Sequence, residues 1–218
     1  MRATLRVAAA SAFVLVAAGC GHTVEGAAVA NPFAPTADNP DPSLGIEGIT
    51  VVEYPVGLHV GADQRVAYDR TPPFGGPHDA VWAACTGTVY DRPIRSENAV
   101  HSLEHGAVWI TYDPALVTGA ALDQLVDRVD GRPYLMMSPY PGLSVPVSLQ
   151  SWGHQLVVDG PTDARIDHFV DALRLNRNTF PEPGATCATL PDVFDADDPP
   201  PFQAGPPDRS DPNTVPMN

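Results

Sequence analysis

No lysine occurs among the 218 residues: all 12 basic side chains are arginine, against 26 carboxylates, for a net charge of −14. Without the leading Arg2 and Arg6 the balance falls to −16. Nucleic acid and anionic lipid surfaces are poor partners for such a polyanion. Part of the excess lies in the last thirty positions, where Asp192, Asp195, Asp197, Asp198, Asp208 and Asp211 sit among prolines. Long apolar runs are also lacking. The uncharged stretch Val7–Ala18 is too short to span a bilayer, which takes about 20 residues. No G-x-S-x-G occurs, so a serine triad of that kind has no support, and no C-x-x-C occurs, so thiol redox chemistry is not carried either.

Cysteine is scarce, with three in the chain. The first ends a segment built as an export signal, with Arg2 and Arg6, then Val7–Ala18, then small residues. Ala17-Ala18-Gly19-Cys20 resembles the lipobox of bacterial lipoproteins, where the cysteine is acylated after cleavage; plain secretion with cleavage nearby is the alternative. A lipidated Cys20 places the protein on the outer face of the inner membrane, with the membrane as its partner. Nothing names a protein partner. Cys85 and Cys187 remain, an even pair in a chain expected to meet an oxidising compartment. Either they form a disulfide closing about a hundred residues, worth roughly 4 to 5 kcal/mol, or they are free thiols and soft metal ligands.

Proline and glycine are plentiful, 25 and 18, which leaves room for one domain of about 140 residues and for segments without a core. The expected division is a signal over 1–19, a disordered tether over 20–47, an α+β domain over 48–187 and a disordered Pro/Asp-rich tail over 188–218. Strands are expected at 49–54, 65–68 and the end of 82–90. A helix capped by Ser96 ends at Gly106, and the apolar run 107–112 follows as a strand. An amphipathic helix is expected within 115–129, then two strands at 133–138 and 145–149 read as a hairpin around Pro139-Tyr140-Pro141-Gly142. A further strand at 155–158 precedes a second amphipathic helix capped by Thr162. The result is a mixed β-sheet with two amphipathic helices and one short histidine-bearing helix; the order after Gly106 is that of the second half of thioredoxin-like folds, as topology alone.

Chemistry gathers at His101-Ser102-Leu103-Glu104-His105-Gly106. Residues four apart share a helix face, so Glu97, His101 and His105 form one stripe with Glu104 beside it. Two imidazoles at i and i+4 can grip one metal ion. The letters also read H-x-x-E-H, the motif of inverted zinc peptidases, with Glu104 as base and a third ligand to be sought downstream, at Asp167 or Asp171. Before this helix, Thr71–Asp79 holds three prolines, stiff backbone that can present His78 firmly.

His59-Val60, Pro72-Pro73-x-Gly75-Gly76-Pro77-His78, Gly87-x-Val89-Tyr90-Asp91-x-Pro93, Val100-His101-Ser102-Leu103-Glu104-His105-Gly106 and Trp152-Gly153 together resemble the bacterial domain-of-unknown-function family 3105, over positions 48 to 183. The resemblance implies an architecture, a preceding export signal or anchor, and four matching histidines; it implies no activity. His59, His78, His101 and His105 are thus the expected ligands of a zinc-like divalent or copper ion. In the alternative, the same rings form a hydrogen-bonded cluster with Glu97, Glu104 and Asp79 that pins the proline loop to the helix. Met136-Met137 offers thioethers for Cu(I), though adjacent strand residues face opposite ways. Trp82, Trp109 and Trp152 read as core.

Overall fold

A computed structural model describes residues 31–190 and 192–217, which fall in one compact unit. The export signal and the lipidation expected at Cys20 lie outside the described residues. A mixed sheet of six strands carries the fold, in the order β1-β9-β8-β6-β7-β5. Its members are β1 (Thr50–Val51), β5 (Thr86–Val89), β6 (Val108–Tyr112), β7 (Leu135–Pro139), β8 (Val147–Ser151) and β9 (His154–Val158). Three further short strands, β2 (His59–Val60), β3 (Arg65–Ala67) and β4 (His78–Asp79), precede β5, and β10 (Thr214–Pro216) follows late. The helices are α1 (Ser96–Glu104), α2 (Ala120–Val129) and α3 (Arg165–Leu173). The described residues therefore form a single α+β domain, as the sequence suggests.

Every residue of β6, β7 and β8 is buried, so the sheet has a core on each face. Side chains alternate between them. Val108, Ile110, Leu135 and Met137 pack under α2 and α3 with Leu125, Val129, Ile166 and Phe169. Trp109 and Met136 point the other way, toward Val100 and Leu103 of α1 and the buried Phe74 of the proline loop. Met136 and Met137 are fully buried, one in each core.

The expected hairpin between β7 and β8 does not form. β6 lies between them, parallel to β7 and antiparallel to β8, and the true hairpin is β8–β9, turned at Trp152-Gly153. β5, β7 and β6 run parallel and β8 and β9 antiparallel, which keeps the thioredoxin-like likeness at the level of connectivity. The helix caps also differ from expectation. Arg95 and Ala164 stand at the N-caps of α1 and α3, neither with a side-chain cap bond, so Ser96 is the first helical residue and Thr162 lies outside α3.

The segments expected to be disordered are built in. In the described part of the supposed tether, Phe33 stacks on His168 with ring centroids 4.1 Å apart. Asp41 Oδ2 meets His154 Nε2 at 3.2 Å. In the tail, Phe194 is buried, Phe202 packs on Tyr140 at 4.9 Å, and β10 pairs in parallel with β3. A few well-placed apolar residues are enough to dock segments whose average composition is polar. Cys85 and Cys187 are bonded, their Cα atoms 4.8 Å apart and 102 residues apart in sequence.

Candidate metal centre

Three elements converge beside the sheet. β2 and β4 form an isolated parallel ladder in which His59 stands opposite His78. The buried stretch Pro72–Asp79 delivers β4, and α1 lies against it, presenting His101 and Glu104 three residues apart. His78 and Glu104 are fully buried, His101 nearly so, and His59 is exposed. One donor atom from each of these four lies within 4.8 Å of every other. The ring centroids are 5.0 Å apart for His59–His78, 5.0 Å for His59–His101 and 4.8 Å for His78–His101.

Backbone carbonyls fix which nitrogen faces inward. A carbonyl can only accept, so the ring nitrogen touching it must carry the proton. His78 Nδ1–H donates to Gly76 O at 2.8 Å and His101 Nδ1–H to Asp79 O at 2.6 Å. His105 Nδ1–H likewise donates to Thr186 O at 2.8 Å. A ring so held offers, in its neutral form, its lone pair on Nε2, the arrangement in which metal-ligating histidines are usually held.

The consequence is sharpest at His78. Its Nε2 lies 2.8 Å from Glu104 Oε2, and both atoms are shut off from solvent with no hydrogen-bond partner of good geometry. With the ring proton on Nδ1, two acceptors face each other. Glu104 Oε1 meanwhile accepts from Gly57 N at 2.9 Å. Burial alone raises the Glu104 carboxyl, but His78, the Gly57 N–H and the nearby His101 together bring it below the ordinary carboxylate range, so the carboxylate is ionised. Burial, with the neighbouring imidazoles, pushes His101 down to about 4 even against its bond to Asp79. Burial also lowers His105, against the Thr186 carbonyl and the Glu182 carboxylate. These rings are neutral near pH 7, the form that binds metal.

His105 does not complete a four-histidine set. It follows the last helical residue as the C-cap, and its Nε2 faces Glu182 Oε2 at 3.3 Å. His105 and Glu182 join His101 in a second group of three donors, with the half-buried Trp82 ring against both histidines at 4.8 and 5.5 Å. Glu97 and Asp79 are not partners of the rings. The Asp79 carboxylate pairs with Arg95 Nη1 and accepts from Val81 N. Glu97 pairs with Arg95 Nε at 3.4 Å and accepts from Val66 N at 2.9 Å. Asp167 and Asp171 are engaged by Arg128 and Asn31, so neither supplies the third ligand sought for a peptidase. Sequence spacing underrated Glu104, which the i, i+3 relation to His101 does announce. It missed Glu182, which stands between Pro181 and Pro183 with no periodic signal.

Fold and site define an α+β domain with a buried histidine–carboxylate cluster beside its sheet. Residues 59–189 match the family described as "Protein of unknown function (DUF3105)", and the chain belongs to that family. Comparison with curated proteins and with solved structures found no match.

Proposed function

We propose that this protein binds a transition-metal ion through His59, His78, His101 and Glu104. The observation that carries the reading is the apposition of His78 Nε2 and Glu104 Oε2 at 2.8 Å, two buried acceptors that need a cation to hold them together, with a donor atom of His59 and one of His101 within 4.8 Å of both. Three imidazoles and one hard carboxylate oxygen suit Zn(II) or Cu(II) better than Cu(I), which favours sulfur donors. The purified protein is expected to take up about one equivalent of Zn(II) or Cu(II), measured by calorimetry and elemental analysis. Undiminished affinity in the variant combining His78→Ala and His101→Ala would falsify the assignment.

A proton instead of a metal between His78 and Glu104 gives the second reading, a hydrogen-bonded cluster that secures the proline loop. It predicts no tight metal and a loss of thermal stability on the same substitutions. Hydrolysis with Glu104 as base gains nothing from this geometry, because Oε1 accepts from Gly57 N and Oε2 is shut off from solvent against His78 Nε2, with no room for a water to activate.

The same proposal places the protein outside the cytoplasm, held by an acylated Cys20 on the outer face of the inner membrane. The leader composition supports this, as does a disulfide, which persists in oxidising compartments. Among the described residues no helix is long and apolar enough to cross a membrane. Labelling with a radioactive fatty acid is the check: incorporation that survives Cys20→Ala sinks the anchor.

A further inference from the structure

Two donor sets share one residue, His101. His101 Nδ1–H is committed to the Asp79 carbonyl, so the ring has a single lone pair, on Nε2. His101 nevertheless belongs to both groups, one with His59, His78 and Glu104, the other with His105 and Glu182. A neutral imidazole lone pair ligates one ion at a time. Bridging two ions would strip Nδ1 of its proton and break the Asp79 bond.

We propose that His101, His105 and Glu182 form a second metal position, which the ion occupies in alternation with the first as it enters or leaves, with His101 as the shared ligand. This rests on the metal-binding reading above. The second set is prepared as the first is. Thr186 O fixes the His105 tautomer, and Glu182 is tethered to the first site through its own N–H, which donates to Glu104 O at 3.1 Å. Exposure separates the two positions. The Glu182 side chain is 46% exposed and that of Glu104 1%, so the second set, with one donor fewer, is the weaker and wetter stop. Such a stop lowers the barrier to exchange while leaving the resting affinity to the first set.

The test uses the purified protein with Co(II) and Zn(II) as probes. Equilibrium titration gives affinity and stoichiometry, and stopped-flow release to excess chelator gives the rate. Glu182→Gln, a change outside the first set, is expected to keep one equivalent bound by that set and is read for its release rate. Release should slow by roughly ten-fold, the effect of losing one charged contact at the barrier. In the variant combining His59→Ala and His78→Gln, which disables the first set, a weaker equivalent of Co(II) should remain, and adding Glu182→Gln should abolish it. Parent-like release from both Glu182→Gln and His105→Asn, in a parent that binds metal, overturns the second position and leaves the first intact. A parent that binds no metal overturns both.

Discussion

At the scale of single residues, the site depends on backbone positions as much as on donors. Gly106 has φ +90, and a Cβ there would lie 2.7 Å from the Phe180 ring. Gly106→Ala should cost about 2 to 4 kcal/mol, from left-handed strain and overpacking together, read as a lower denaturant midpoint. His101 governs the response to acid. Its folded value of about 4 lies below the ordinary 6.5, so the unfolded chain binds the extra proton across that window. The stability from neutral His101 is present above pH 6.5 and is lost as pH falls toward 4, on the order of 3 kcal/mol in all. Urea unfolding of chelator-treated protein at pH 7, 5.5 and 4.5 should show this decline, with a shallower slope in His101→Gln. An unchanged slope in that variant would assign the acid sensitivity to other groups.

At the scale of elements, the start of α1 is held by buried charge. Arg95 lies between Asp79 and Glu97, all three side chains under a tenth exposed, and its Nη2 also donates to Gln64 O at 2.6 Å. Removing the guanidinium leaves two carboxylates buried without their counter-charge, so Arg95→Met should destabilise by about 3 to 5 kcal/mol. Restored stability when Asp79→Asn and Glu97→Gln are added would confirm the cause. The histidine helix itself was legible in sequence, because an acidic first turn, a 3.6-residue repeat and a terminal glycine agree. The direction of the His105 ring was not, since the residue falls just past the last helical residue, where the ring is oriented by Thr186 and faces Glu182. The strands flanking Pro139–Gly142 looked like a hairpin because each run is apolar and the turn residues fit. Nothing local reveals that β6, already laid down, takes the place between them.

For the whole molecule, both ends of the described chain hold the middle in place. Phe194, Phe202 and β10 fasten the tail onto Tyr90, Tyr140 and β3, although proline and aspartate dominate the composition there and hid those anchors from a reading by average hydropathy. Ending the chain after Leu190 should cost about 3 kcal/mol or more from the lost aromatic burial, and limited proteolysis should then cut near β3. Reducing the Cys85–Cys187 bond, which closes 102 residues, should lower stability by about 4 to 5 kcal/mol, measured by unfolding with and without reductant.

That bond has a further effect through its neighbour. Thr186, whose carbonyl orients the His105 ring, is the residue just before Cys187, and Cys85 N also donates to Cys187 O at 3.1 Å. The direction of the His105 ring is therefore tied to covalent closure. If the second metal position proposed above is right, binding at His105 depends on the oxidised state of Cys85 and Cys187, and reducing the pair should weaken it.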